Sequence, residues 1–256
     1  MQVSVLASGS TGNAIYVQKG ATRLLIDAGL SGKEITKRLS EIGVELKKLN
    51  GILVSHEHHD HVGGVGVLAR KLRCPVWMTR GTFEAARRRF KGRERIRFIE
   101  NDATFAVGDL SARAFSISHD AADPVNFVIE DGETQVAVAT DMGKVTPLVF
   151  ERLQGADMVI MESNYDRDLL MNGPYPWHLK QRISSTHGHL ANSDSAETLA
   201  RLAEQGLRHA VLAHLSQENN RPDIARATCE RGLNGKRRHF QIDVAAPDRP
   251  TPVFVV

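Results

Sequence analysis

The chain has 256 residues, 41% hydrophobic and 25% charged, with a formal net charge of +3. These values are ordinary for a globular protein and exclude a disordered or fibrous chain. No apolar run approaches membrane-spanning length, and Cys74 and Cys229 are too far apart to suggest a disulfide framework. The apolar part of Met1–Ala7 is too short for a signal peptide, so a reducing cytoplasm is the expected setting.

In chain order, strands are expected at 3–7, 14–17, 23–27, 51–55, 76–79, 111–116, 126–129, 135–139, 158–161, 209–213 and 253–256. These segments are rich in Val and Ile and bounded by Gly, Asp or Asn. Helical spacing falls between many of them. Residues 32–42 carry Ile35, Leu39 and Ile42 on one face, and 62–72, 81–90, 193–205 and 222–233 also read as helices. Asn192 or Ser193 is expected as an N-cap, Gly206 as a stop and Pro222 at a first helical position. Strands, then β-α pairs, strands again and final β-α pairs predict two sheets with helices outside, in one domain over residues 1–256.

Two basic stretches interrupt this pattern. One runs from Arg87-Arg88-Arg89 through Lys91, Arg93, Arg95 and Arg97, and the other is Lys236-Arg237-Arg238. Each fits either a solvated surface or contact with nucleic acid.

The densest chemical signal is Val54-Ser55-His56-Glu57-His58-His59-Asp60-His61-Val62-Gly63-Gly64. His56, His58, Asp60 and His61 place three imidazoles and a carboxylate within six residues, directly after an apolar run. Imidazole suits zinc and related transition metals, and carboxylate extends the range to harder ions such as manganese. Further candidates end other predicted strands: Asp27, His119, Asp141 and His214. A rigid sheet can hold such residues at one edge, where loops converge. His59 alternates with the candidate ligands and is expected to point away.

The series His56-x-His58-x-Asp60-His61, His119, Asp141 and His214 resembles the motifs of the metallo-β-lactamase fold. The resemblance implies an α/β fold, a four-layer αββα sandwich with two mixed sheets flanked by helices. It implies a two-metal site, Zn or Mn. His56, His58 and His119 would hold one ion, Asp60, His61 and His214 the other, and Asp141 would bridge them. Asp27 would orient a ligand imidazole from behind.

Leu6-Ala7-Ser8-Gly9-Ser10-Thr11-Gly12-Asn13, Glu162-Ser163-Asn164-Tyr165-Asp166 and Ser184-Ser185-Thr186-His187-Gly188-His189 are similar to segments of the YycJ/WalJ-like group. Members of that group are taken to be metal-dependent 5′-to-3′ DNA exonucleases, linked to DNA repair and cell-envelope regulation. The group often has Ser where this chain has Ala14 and Ala191.

The expected chemistry is hydrolysis of a phosphodiester at a DNA end, with Asp60 orienting the attacking hydroxide. His187, or alternatively His189, is the expected general acid for the leaving oxygen. Ser10 and Asn13, in a Gly-rich turn, and Lys180 and Arg182 are candidate phosphate contacts, with Trp177 or Tyr175 as a stacking surface. His178, His209 and His239 read as structural or exposed. The alternative is a small-molecule metallo-hydrolase acting on a thioester, lactone or cyclic phosphodiester, because fold does not fix substrate. A non-catalytic metal-binding regulator is a third, weaker reading.

Overall fold

A computed structural model describes residues 1–233 and 240–256. The basic cluster Lys236–Arg238 and His239 lie outside the described residues. Two mixed β-sheets of seven strands are present, flanked by helices. The chain divides into two compact units: residues 1–116, 121–133 and 246–256, and residues 117–120 and 134–245.

The first unit opens with an antiparallel run of β1 (Gln2–Ala7), β2 (Ala14–Lys19) and β3 (Thr22–Ile26). It continues in parallel through β4 (Gly51–Leu53), β5 (Pro75–Met78) and β6 (Arg95–Phe98), and β14 (Phe254–Val255) pairs with β1. The same unit holds an antiparallel meander, β7 (Thr104–Val107), β8 (Leu110–Ser116) and β9 (Val125–Glu130). Helix α1 (Gly32–Glu41) starts where the Ser31 hydroxyl accepts from the Glu34 amide, and its Ile35 and Leu39 are fully buried. Leu6, Tyr16, Leu25, Ile52, Leu68 and Val76 join them in one core cluster.

The helix expected over 62–72 is broken in two, α2 (His59–Val62) and α3 (Val65–Leu72). Gly64 marks the break. A side chain there would meet the Leu30 carbonyl at 2.1 Å, and its amide donates to Ala28 at 2.7 Å. Helix α4 (Arg80–Ala86) passes into a single 3-10 turn at Arg87–Arg89.

The second unit carries four parallel strands, β10 (Gln135–Ala139), β11 (Met158–Glu162), β12 (His209–Ala213) and β13 (Gln241–Val244). Their interior residues, from Val136 to Val138, Met158 to Met161 and Ala210 to Leu212, are buried, as a parallel sheet covered on both faces requires. Its helices are α5 (Pro147–Leu153), α6 (Arg167–Asn172), α7 (Trp177–Ile183), α8 (Asn192–Glu204) and α9 (Pro222–Gly232). Pro147 and Pro222 begin their helices, where a missing N–H costs nothing.

Helix α8 does not use Asn192 or Ser193 as its cap. Ala191 holds that position, and the Asn192 side chain is buried between Ser163 and Asn220. The tertiary network takes the polar group that local preference would have put at the helix end. Among the described residues no helix is long and apolar enough to cross a membrane.

Candidate metal centre

In the first unit, β3 is followed directly by Asp27, which adopts φ +59°, a left-handed conformation uncommon outside glycine. Its carboxylate collects three donors. Oδ1 accepts from the Ser55 amide at 2.8 Å, and Oδ2 faces the Ser55 hydroxyl and His61 Nδ1, each at 2.8 Å. Ser55 Oγ also lies 2.9 Å from His56 Nδ1. Asp27 therefore accepts a hydrogen bond from His61 Nδ1–H directly, and the Ser55 oxygen, whose own hydrogen goes to Asp27, accepts from His56 Nδ1–H. Both rings are left with Nε2 as a lone-pair donor, the arrangement a metal-binding imidazole needs.

The Nε2 atoms point to the other candidates. His56 Nε2 is 3.1 Å from His58 Nδ1, and His61 Nε2 is 3.5 Å from Asp60 Oδ2. His56 and His61 are fully buried, while His58 and Asp60 are half-buried. His59, the first residue of α2, is exposed, as the alternation predicts.

Backbone contacts fix this segment. Asn13 N–H donates to the Asp60 carbonyl at 2.7 Å, and the Ala28 amide donates to His61 at 2.9 Å. Gly29 is the tightest point, since a Cβ there would sit 1.6 Å from the Asp60 carbonyl oxygen.

Asn13 does not fit the expected role of phosphate contact. Its side-chain nitrogen lies 3.1 Å from Gly9 O, 3.2 Å from Asp60 Oδ2 and 3.0 Å from His61 Nε2, so it holds candidate ligands in place. The amides of Gly9, Gly12 and Asn13 already donate within the protein. Ser10 is exposed.

The second unit presents another donor set. Asp141 follows β10 and His214 follows β12, with φ of +55° and +54°. Ligand atoms of Asp141, Glu162, His189 and His214 all lie within 4.8 Å of one another. Glu162, the last residue of β11, is fully buried; its Oε1 is 2.7 Å from His189 Nδ1 and 3.2 Å from His214 Nδ1. Its Oε2 accepts from the Met142 amide at 2.8 Å. Burial alone would raise the Glu162 carboxyl, but the charge of His189 and hydrogen bonds from His189 and His214 outweigh it. The group lies below the usual carboxylate range.

His119 follows β8; its Nδ1 is 3.2 Å from the Gly188 carbonyl, and its ring centroid is 5.5 Å from that of His189. The 184–189 loop thus places His189 within the cluster. His187 is exposed, with Nδ1 3.2 Å from the Thr186 hydroxyl.

Lys180, an expected phosphate contact, has a partner inside the protein. Lys180 is buried within α7, and its Nζ donates to the Met171 carbonyl at 2.7 Å, closing the end of α6. Arg182 is exposed and pairs with Asp120 at 3.0 Å. Trp177 is exposed at the first turn of α7, His178 is exposed, and His209 pairs with Asp243 at 2.8 Å. Sequence reasoning passed over Glu162 as a site residue, although it ends an apolar strand, as Asp27 and Asp141 closely follow theirs.

Both sets suit divalent cations. Buried imidazoles with their outer nitrogens already engaged, and two buried carboxylates beside them, are costly to keep together without a cation.

Residues 22–215 match the Beta-lactamase superfamily domain. The chain belongs to the metallo-β-lactamase superfamily. Exodeoxyribonuclease YycJ of Bacillus anthracis is 37% identical, over 100% of this chain and 99% of its own. Exodeoxyribonuclease WalJ of Streptococcus pneumoniae is also 37% identical, over 98% of this chain and 96% of its own. Among solved structures, the metallo-β-lactamase fold protein YhfI of Bacillus subtilis superposes with a TM-score of 0.76 over 98% of both chains at 18% identity. The superfamily member described here is a metal-dependent hydrolase that uses divalent metal, with the two mixed sheets and outer helices of that fold.

Proposed function

We propose that this metallo-β-lactamase-fold protein is a phosphodiesterase that shortens DNA from its 5′ end. The observation that carries the reading is 37% identity, along essentially the whole chain, to proteins named exodeoxyribonucleases. The ligand assignment is the one the motif series implies: His56, His58 and His119 for one ion, Asp60, His61 and His214 for the other, and Asp141 as the bridge. The same reading treats residues 1–256 as one functional domain. When bound, two divalent cations supply Lewis acidity and bring a water molecule's pKa toward neutrality.

The chain's own residues do the rest. Asp27, directly and through Ser55, holds the Nδ1 protons of His61 and His56, so both rings keep one tautomer. Asp60, steadied by Asn13, accepts the proton of the attacking water and orients its oxygen toward phosphorus. As the new P–O bond forms, the bond to the leaving 3′ oxygen breaks, and that oxygen needs a proton. His189 is the better placed donor. Glu162 engages its Nδ1 at 2.7 Å and leaves Nε2 as the atom that delivers the proton. His187 lacks such a carboxylate partner among the contacts described for it.

The test is single-stranded DNA, labelled at its 3′ end and carrying a 5′ phosphate, incubated with manganese or zinc beside Asp60→Ala. Stepwise shortening from the 5′ end by the wild type alone is the expected result. No cleavage with either metal would move the assignment to a thioester, lactone or cyclic phosphodiester.

A further inference from the structure

Charge in this chain is unevenly placed. Residues 70–97 hold eleven Lys and Arg against two Glu, a net +9, so the remainder must carry −6 to give the chain's +3. The structure concentrates part of this excess around one cavity of ≈ 630 Å³, lined by Ala69, Arg70, Arg73, Cys74, Arg93 and Arg95. Only one carboxylate serves these guanidiniums in the contacts described. Glu94 bonds Arg70 Nη1 and also accepts from the amides of Lys91 at 3.0 Å and Arg93 at 3.1 Å. It is fixed as the hub of its loop, with its side chain 1% exposed, and has little capacity left for Arg73 and Arg93.

Arg73 sits at the left-handed position ending α3, with φ +52°, where glycine would cost least. Its carbonyl takes a bond from Arg95 Nη2, which ties β6 to the end of the helix. Arg87, Arg88 and Arg89 continue the positive surface, all exposed. Phe98 of β6 is 45% exposed, with the Arg80 guanidinium 4.4 Å from its ring centre.

Strand direction separates this cavity from the candidate ligands. Ile52 pairs with Val76, and Val76 with Ile96, in parallel strands. Arg73, Arg93 and Arg95 therefore lie at the starting ends of β5 and β6, whereas His56 and its neighbours follow the finishing end of β4. His56 lies five residues along the chain from Gly51, which is level with Pro75 and Arg95, a span of at most roughly 16 Å at ~3.3 Å per residue. At the ~3.4 Å per-strand rise of a stacked duplex that is no more than about five phosphates, and fewer for an extended single strand.

We propose that this arginine-lined cavity is an exosite for the phosphodiester backbone of the substrate strand, gripping it within about five phosphates of the scissile bond. This rests on the nucleic-acid reading above. Guanidiniums match phosphate in a bidentate geometry, and exposed arginines with an aromatic ring among them form a surface that tracks a single strand without reading its bases.

The test uses the metal-loaded enzyme and phosphorothioate-linked single strands, labelled at the 3′ end, of about two and about twenty nucleotides. Fluorescence anisotropy is measured from low to high salt. Wild type binds the long strand more tightly than the short one. Arg73→Gln with Arg93→Gln removes most of that length advantage and lowers the slope of log K against log salt by about 1.4, at ~0.7 per lost contact. Arg73→Lys with Arg93→Lys restores the slope, and unchanged melting temperatures show that every variant is folded. An unaltered slope in the Gln variant, no length advantage in the wild type, or binding to phosphatidylserine vesicles in place of DNA would each overturn the exosite. Retained binding without cleavage of unmodified DNA would instead overturn the nuclease reading and leave the exosite standing.

Discussion

Replacing Asp27 by Asn removes one oxygen and little else. Asn has the same shape and tolerates φ +59° about as well as Asp, so the backbone is not expected to move. The hydrogen bonds change decisively. Three donors converge on the Asp27 carboxylate: the Ser55 amide on Oδ1, and the Ser55 hydroxyl and His61 Nδ1 on Oδ2. If the amide oxygen stays with the Ser55 amide, an NH2 group meets the other two. His61 then has to move its proton to Nε2, the nitrogen meant for a metal, or turn away. The loss is one charge-assisted hydrogen bond, about 1.5–3 kcal/mol. At ~1.36 kcal/mol per tenfold, metal affinity should fall about 10- to 100-fold, in the range seen when such orienting partners are removed. Competition against a chromophoric chelator measures this directly. Affinity within a factor of about two of wild type would refute the claim that Asp27 sets the imidazole tautomer.

Other substitutions probe separate parts of the site. His58→Ala should abolish hydrolysis while far-UV circular dichroism stays unchanged; a near-wild-type rate at saturating metal would remove His58 from the ligand set. His189→Ala should slow DNA cleavage by about 10²- to 10⁴-fold, and His187→Ala by far less, with metal content of both checked by elemental analysis. Lys180→Met should lower stability by about 1–3 kcal/mol in urea unfolding, through the unpaired Met171 carbonyl, and leave KM for DNA unchanged. Burial pushes the Cys74 thiol up to about 11 and the Cys229 thiol up to about 12, so both should resist alkylation at pH 8 until the protein is unfolded.

The strands that the sequence displayed were mostly continuous apolar runs. The strands at 3–7, 135–139, 158–161 and 209–213 are buried runs of Val, Ile, Leu, Met and Ala, and they recur at nearly the same bounds. Strand β6 was hidden because Arg95 and Arg97 read as part of a basic stretch, although Arg95-Ile96-Arg97-Phe98 alternates; at a sheet edge such charge guards against pairing with other chains. Helices α6 and α7 were hidden by Pro174 and Pro176, which read as loop. Within the candidate centre, the ligand types were legible because no common structural need gathers three imidazoles and a carboxylate in six residues. Partner choice was not. Asn13 and Lys180 look like anion contacts until burial shows the first held by Gly9, Asp60 and His61, and the second by Met171. Glu162 was overlooked because its role depends on the 184–189 loop folding back to bring His189 against it.

Asp27, Asp141 and His214 share one feature that no alternation pattern could display. Asp27 and His214 are the first residues after buried strands and Asp141 is the second after β10, and each adopts a left-handed conformation. That conformation costs a non-glycine residue about 1 kcal/mol or more, and it persists only where surroundings over-determine it. Here they do: the Asp27 amide donates to Leu53, and the His214 carbonyl accepts from Asn164 at 2.7 Å. Glycine would relax the backbone at all three points and remove the donor atom. Asp, and to a lesser extent His, are among the side chains that bear this conformation most readily while offering a ligand. A left-handed residue also turns the chain sharply, so the donor leaves the strand at its end instead of continuing the pleat. The backbone strain and the ligand chemistry are therefore one design feature: a carboxylate or imidazole aimed from the tip of a rigid strand, placed by a turn that few other side chains could make.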